Sequence, residues 1–495
     1  MAEKELEKIV GPGNVLTGPE ALEEYAGDGR FAPAVTPRCV VMPGSVDEVQ
    51  AVVKWANATM TPLVPVSSGA PHFRGDTVPG AAGAVIVDLK RMNRIVRVDP
   101  RNKLAMVEPG VTFGDLQAEL AKSGLCAYLP LPPRATKSVI GSVMEREPIT
   151  SAAHHWDSCD PLLCAEVVYG TGDRFRTGEA SGPDTPEEQW EMDRVQMNPF
   201  GHSHVDFQRL ISGAQGTMGI VTWATVKCNY LSRVSRALVV PSPNLQPLID
   251  LMYPVVRCRL GGKLFIVNGL NLACLLGGGS GEIQKRGKAL PPWVLFISFE
   301  GYGPLPEDKV AAEEAEFREM AKQCGLEPEG KIPGATAEDV LKLLSGPSAE
   351  PYWKTRFKGG FRDIFFLTTL DKTPEFAAAV PEMAGRYGFP AGDIGVYIQP
   401  IVQGTSCHAE FTLYYDKADA AETEAVRRLD REGVAELAGM GSFFSRPYGA
   451  WGEVAYRRAP GTLAMQRKLK EIFDPNGILN PGKLGFRELK AEEVR

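Results

Sequence analysis

Apolar positions in this chain recur with two different periods, and segments of each kind alternate. After Ser45, with Glu48 as its capping partner, Val49, Val52, Val53 and Ala56 recur every three or four residues, the spacing of a helix with one buried face. The runs Leu63–Val66 (LVPV) and 84–89 (AVIVDL) are continuously apolar instead and predict buried strands. In 94–109, RIVRVDPRNKLAMVEP, Ile95, Val96 and Val98 precede the turn-forming Asp99-Pro100-Arg101-Asn102, and Leu104, Met106 and Val107 follow it, so a β-hairpin is expected. Thr112 and Asp115 then cap a helix carrying Leu116 and Leu120 that ends at Gly124.

Beyond residue 232 the rhythm continues with strands at 293–299 and 395–400 and charged helices at 307–323 and 418–437. A last helix, 463–473, stops at the turn cluster Asp474-Pro475-Asn476-Gly477. Three regions are expected: 1–232, 233–450, and 451–495 returning to the first. The polar stretch 178–207 is too long for an ordinary connection, so it is expected to cover an entrance or contact a partner. No internal repeat is visible.

Length and composition narrow the class. The 495 residues, 44% of them apolar, can bury a large core divided among two to four folding units. A net charge of −7 without basic runs argues against nucleic acid as a partner. The charged start MAEKELEKIVGPG and the absence of any run near the roughly 18 apolar residues of a membrane span predict a cytoplasmic protein. Nine scattered cysteines, an odd number, suit a reducing compartment. Cys159 and Cys164 are the closest pair, and a single pair makes no zinc or iron–sulfur signature.

The candidate chemistry begins after the strand Leu63–Val66. Ser67, Ser68, Gly69 and Ala70, with Pro71, His72 and Gly75 behind them, form a bend of small residues whose amide groups can wrap phosphate oxygens. The same residues fit a plain tight turn. Pro109-Gly110 follows the hairpin, and LISGAQGTMGIVTWATVKC brings Gly213, Gly216 and Gly219, then Ile220 and Val221, before a long apolar strand.

This order of segments, with the closing FDPNGILNPGKLGF that contains Asn480, resembles the flavin-binding domain of the vanillyl-alcohol oxidase / p-cresol methylhydroxylase superfamily, which also holds the FAD-linked D-lactate and glycolate dehydrogenases. The resemblance covers roughly residues 30–232 and the C-terminal 45 or so. It implies an α+β fold: a two-part FAD-binding domain of the p-cresol methylhydroxylase type with an α+β cap for the substrate. Regions 1–232 and 451–495 would then be the FAD-binding domain and 233–450 the cap. The bend from Ser67 to Gly75, Pro109, Gly110, Gly216, Gly219, Ile220, Val221 and Asn480 would hold FAD.

Residues 138–178 resemble the para-phenol-oxidising branch more narrowly, in a Ser-Val-x-Gly, Glu-Arg, His-Trp, Glu-Val-Val, Arg-Thr-Gly order. That implies Ser138, Gly141, Ser142 and Glu145 along the ribose and diphosphate, with His155-Trp156 close behind; a packed aromatic pair is the alternative reading of the last two. Departures accompany the match. The carboxylate that serves this branch as base falls at or near Pro133 in LPLPPRATKS. Its tyrosine–arginine pair is represented by Ser445-Arg446, with Tyr448 two residues on. Of the D-lactate branch's metal-binding histidines only His408, beside Glu410, has a counterpart, and RPYGAWG replaces that branch's Glu-His-Gly. His72 sits one position beyond the usual attachment site, at Pro71, so the FAD is expected to be non-covalent.

Such an enzyme oxidises by hydride loss to flavin N5. Arg446 is the candidate grip for an anionic group, unless it serves a surface salt bridge. Tyr448 and Tyr397 are candidate hydroxyl donors or plain structural tyrosines. His408 lies two residues from Glu410 on one strand face, where it suits a general base, a metal ligand or a structural role. No further ligand accompanies it, so no metal is expected. The expected activity is FAD-dependent dehydrogenation, first of a para-hydroxylated aromatic alcohol or alkylphenol. The alternatives are a D-2-hydroxy acid of the lactate or glycolate type, or an FAD subunit of a larger electron-transfer complex. A small-molecule substrate, an electron-accepting cytochrome, iron–sulfur protein or electron-transfer flavoprotein, and a second copy of the chain are the expected partners.

Overall fold

A computed structural model describes the chain except residues 1, 28–33, 152–160, 183, 193–195, 203–205, 402–403 and 487–495. Three sheets organise it, besides a two-stranded ribbon. The first runs Val15–Leu16, Cys39–Val41, Val85–Asp88, Leu63–Val66. Val85–Asp88 pairs in parallel with both neighbours, and the helix Val46–Thr59 makes the crossover between them. Ser45 caps this helix by accepting from the Glu48 amide, and Val49, Val52, Val53 and Ala56 are its buried face. The C-terminal segment returns here: Leu479 bridges to Leu63, with Leu63 N donating to Ile478 O at 2.7 Å and Asn480 N to Leu63 O at 2.8 Å.

The second sheet is antiparallel, in the order Ile95–Asp99, Leu104–Val107, Gly219–Tyr230, Leu162–Tyr169, Arg174–Arg176, with Leu125–Ala127 against the end of the long strand. Its first two strands are the expected hairpin. Of the two roles expected for 178–207, covering an entrance is not the one it plays at the large cavity below, since none of its described residues lines it. Ala180 and Trp190 instead join Met106, Cys164 and Trp223 on the back of this sheet, with Gln189 and Gln196 buried beside them. These few apolar side chains hold a polar excursion against a face that would otherwise be wet.

The third sheet has six strands in the order Val234–Ser242, Trp293–Gly301, Leu264–Asn268, Ile394–Ile401, Ser406–Asp416, Gly359–Thr368. Alternate side chains divide between two cores: Leu238, Val240, Leu295 and Ile297 face one, Val239, Phe265, Val267 and Phe296 the other. Leu245–Arg257, Pro306–Gln323 and Thr373–Arg386 cover the first face; Gly269–Leu276, Ser280–Ala289 and Ala337–Leu344 cover the second. Strands buried on both faces read as continuous apolar runs, which is the pattern at 293–299.

The helix expected over 418–437 is interrupted: Ala420–Arg428 passes through a π-helical turn, Leu429–Gly433, into Val434–Gly439. At that turn Asp430 accepts two hydrogen bonds from Arg362, at 2.7 and 3.1 Å, and one from Trp451 Nε1 at 3.1 Å. The extra residue in the turn accompanies this buried ion pair. No described helix is long and apolar enough to cross a membrane.

Candidate functional site

Where the three sheets meet, a cavity of about 1830 Å³, open mouth included, runs from the bend at Ser67 to the cap strands. Its first half is built by local rules. Ser138 caps the helix Val139–Met144: its Oγ accepts from Gly141 N at 2.9 Å and donates to Pro109 O at 2.6 Å. Ser138 N donates in turn to Ser68 Oγ at 3.0 Å, which ties three expected cofactor segments together. Asn480 adds a fourth tie, donating from Nδ2 to Asp76 O and Gln215 O, both at 2.8 Å.

Of the expected cofactor residues, Ser67, Ser68, Pro71, His72 and Pro109 line the cavity. So do Gly141, Glu145, Gly216, Gly219, Ile220 and Val221. The rest sit behind the wall. Gly69 and Ala70 turn their carbonyls to the Arg134 guanidinium, at 2.8 and 3.0 Å, and Gly75 O accepts from Lys483 at 2.8 Å. Gly110 packs on the carbonyls of Lys90, Met92 and Leu89, and Ser142 Oγ donates to Glu147. His155 and Trp156 lie outside the described residues.

Close packing within the protein itself requires glycine at two points of the wall. Gly216 has φ +69°, and a Cβ there would lie 2.4 Å from Pro65 Cγ; one on Gly219 would lie 2.4 Å from Val167 Cγ2. His72 also lines the cavity, and its buried Nε2 has no hydrogen-bond partner among the described residues. Gly216→Ala is expected to cost at least about 1–2 kcal/mol from the left-handed conformation alone. Its displaced loop should lower FAD occupancy, read as flavin retained after gel filtration; full retention would contradict this.

His72 also predicts acid lability. Burial, followed by nearby Arg134 and Lys137, holds it at about 4 against an ordinary 6.5. The unfolded chain takes a proton below 6.5 that the folded chain refuses. Stability from this group is therefore whole above pH 6.5 and drains toward pH 4 by at most about 3 kcal/mol. Thermal unfolding of the FAD-free protein across that window should show the loss, and His72→Asn should flatten it.

The second half of the cavity rests on one face of three neighbouring strands. Because strand side chains alternate and cross-strand partners share a face, the pairs Tyr397↔Glu410, Gln399↔His408, Phe365↔Glu410 and Asp363↔Thr412 gather those residues together. All four expected catalytic candidates, Arg446, Tyr448, His408 and Tyr397, line this end. Arg446 is 5% exposed, with its guanidinium carbon 4.3 Å from the Phe365 ring centre and Nη1 donating to Glu145 O at 3.4 Å. Among the described residues no carboxylate lies within ion-pairing distance of it. Burial, then Arg74, pulls its pKa down to about 10.

His408 is 1% exposed, and its Nε2 lies 3.5 Å from Glu410 Oε2. Neither ring nitrogen makes a hydrogen bond of good geometry among the described residues. Burial lowers its pKa against the pull of Glu410, so the ring is neutral. Tyr397 is committed elsewhere, donating to Gln399 Oε1 at 2.8 Å. Tyr448 packs 6.1 Å from Phe365 and 5.6 Å from the Arg74 guanidinium, and burial pushes its phenol up.

The sequence reading missed most of the charge in the cavity. Arg74 pairs with Glu145 and, at 2.7 Å, with Glu147; Lys137 joins Glu145 at 2.8 Å. Although burial alone would raise Glu147, Lys137 and Arg74 hold it below its ordinary value. Lys354 lies 2.8 Å from Asp363 and 2.6 Å from Glu410. The available signal was Arg362-Asp363 inside the apolar strand Gly359–Thr368, since charge in a buried strand demands partners. Among the described residues no group of three or more His, Cys, Asp or Glu is arranged to hold a metal ion.

Two family models match the chain: the FAD binding domain over 37–178, and the C-terminal domain of FAD linked oxidases over 449–484. The D-2-hydroxyglutarate dehydrogenase of Stutzerimonas stutzeri is 25% identical over 97% of this chain and 98% of its own. The flavoprotein subunit of 4-cresol dehydrogenase (hydroxylating) from Pseudomonas putida is 24% identical over 97% of this chain and 94% of its own. Among solved structures, p-cresol methylhydroxylase with substrate bound superposes with a TM-score of 0.84 at 21% identity, over 98% of this chain and 96% of that one.

Proposed function

For this chain, an FAD-linked oxidoreductase of the vanillyl-alcohol oxidase / p-cresol methylhydroxylase superfamily, we propose dehydrogenation of a small 2-hydroxy acid at its CH–OH carbon. The observation that carries the proposal is a buried arginine with no carboxylate within ion-pairing distance among the described residues, beside a neutral buried histidine. A desolvated cation lacking a counter-ion calls for an anionic ligand, and the planar guanidinium of Arg446 matches a carboxylate through two parallel hydrogen bonds. A neutral imidazole with a free lone pair calls for a proton, which the substrate hydroxyl supplies to His408. Bound FAD supplies the hydride acceptor. Phe365, whose ring lies under Arg446 and 5.8 Å from the His408 ring, keeps water from both groups.

This reading reverses the order of substrates expected from residues 138–178. The carboxylates facing the cavity on the cap strands, Asp363 and Glu410, are both bound to Lys354, and position 133 is proline, so a phenol would not meet a carboxylate base at the position expected for that branch. A para-hydroxylated aromatic remains the second reading, favoured by the aromatic lining of Tyr352, Phe361, Phe365 and Tyr397 and by Arg446 as a phenolate partner. One relative is named D-2-hydroxyglutarate dehydrogenase, which supports the D configuration; another is named a flavoprotein subunit, which supports an electron-accepting partner. Anaerobic mixing of the yellow protein with D-2-hydroxyglutarate, D-lactate, glycolate, 4-cresol and vanillyl alcohol tests the proposal. Bleaching by a hydroxy acid is expected. Bleaching by the phenols alone would transfer the activity to the second reading.

A further inference from the structure

Lys354 takes no part in the roles assigned above, yet its position is costly. It is 4% exposed, on the short 3₁₀ turn Trp353–Thr355, and a lysine buried so fully must be paired. The turn has anchors of its own: Trp353 Nε1 donates to Pro132 O at 3.0 Å and Trp353 N to Ser348 Oγ at 3.3 Å. Its ammonium stands between two carboxylates on adjacent strands, 2.8 Å from Asp363 Oδ2 and 2.6 Å from Glu410 Oε1. The second oxygen of each carboxylate turns elsewhere. Asp363 Oδ1 accepts from Thr412 Oγ1 at 2.7 Å, and Glu410 Oε2 faces His408 Nε2 at 3.5 Å.

We propose that Lys354 is a positioning residue: by holding Glu410 ionised and turned, it keeps the proton of His408 on Nε2 and leaves Nδ1 as the base for the substrate hydroxyl. The inference rests on the reading of His408 given under the proposed function. An ionised carboxylate 3.5 Å from Nε2 attracts an N–H and repels a lone pair even without a hydrogen bond of good geometry, so its field favours the hydrogen on the nitrogen facing it. The ammonium outweighs the burial that would otherwise protonate Glu410, whose carboxyl lies below its ordinary range. Burial, then Glu410, pushes Asp363 up, so the charge beside His408 that steadies the imidazolium formed when the ring takes the proton is that of Glu410. Without Lys354, Glu410 would meet Asp363 in a buried site with no cation between them. Asp363, already pushed up by burial and then by Glu410, would take up a proton first. With Asp363 replaced as well, burial falls on Glu410 alone, and a protonated Glu410 donates to Nε2 and moves the ring hydrogen to Nδ1.

A plain charge-balancing role would also pair Lys354 with carboxylates, and the test separates the two. Lys354→Met combined with Asp363→Asn removes one charge of each sign and keeps the net charge of the cluster. If Lys354 only balances charge, this variant works normally. If it positions the base, kcat on the hydroxy acid falls by about 100-fold while KM moves by less than about threefold. Nitrogen NMR of labelled histidine should show the hydrogen of His408 transferred from Nε2 to Nδ1. Wild-type kcat or an unchanged tautomer in the double variant overturns the proposal. Should that variant fail to retain FAD, Glu410→Gln reads the same link, leaving Lys354 paired with Asp363 alone; the same loss in kcat is expected, and unchanged kcat overturns the proposal. His408→Asn, measured in parallel, tells the two readings apart. If it loses activity while the double variant keeps it, only the role of Lys354 falls; if it keeps full activity, both readings fall.

Discussion

His408→Asn is expected to lower kcat on a 2-hydroxy acid by about 10²- to 10⁴-fold, the range of a positioned general base, with FAD still bound. Asn preserves size and polarity but cannot take the hydroxyl proton. The loss should appear in kcat more than in KM, because the carboxylate grip on Arg446 is untouched. Folding should survive: His408 makes no hydrogen bond of good geometry among the described residues, and its main neighbours are the rings of Phe365 and Tyr397 at 5.8 Å. Stopped-flow measurement of flavin bleaching checks this directly. A bleaching rate within about threefold of wild type would remove His408 from the chemistry, since a spectator histidine is the only role left to it.

Arg446→Met should separate activity from stability. For an anionic substrate kcat/KM is expected to fall by about 10²- to 10³-fold, because a carboxylate entering an apolar site without its partner is left buried and unpaired at a cost of about 2–5 kcal/mol. The free protein should respond in the opposite sense. A fall in the pKa of Arg446 from 12.5 to about 10 means that folding disfavours its charged form by about 3 kcal/mol. An apolar side chain of similar length escapes that cost and still packs on Phe365. A higher melting temperature with lost turnover would mark a residue kept for binding at the expense of stability. Unchanged kinetics would place the anion elsewhere in the cavity.

Much of the architecture was legible in the sequence because it depends on neighbours. The caps at Ser45 and Thr112 and the hairpin of 94–109 are settled within a few residues. The closing segment could be assigned to the first domain from its resemblance, and Leu479 does pair beside Leu63. Where the reading failed, distant partners decided. The helix over 418–437 has no local reason to break, and the turn at Asp430 meets Arg362, 68 residues away. The polar stretch 178–207 carries no local sign of where it packs, and Trp190 finds Trp223 and Met106 on the back of the second sheet.

The site divides in the same way. Its small residues, its histidine beside Glu410 and its arginine were visible in the sequence, since residue type and order carry the coenzyme and the class of chemistry. Their electrical state was not. Arg446 could have been any salt-bridged arginine until the fold placed it over Phe365, with no carboxylate of the described residues within ion-pairing distance. Arg74 passed unnoticed because its partner Glu145 lies 71 residues away, and Lys354 because only the fold brings Glu410, 56 residues on, to the same ammonium as Asp363. Order along the chain determined which cofactor and which kind of reaction this protein supports. Tertiary structure alone decided which buried charges are cancelled and which stand open to a substrate, because Coulomb energy and desolvation depend on distance and burial in space, and sequence separation records neither.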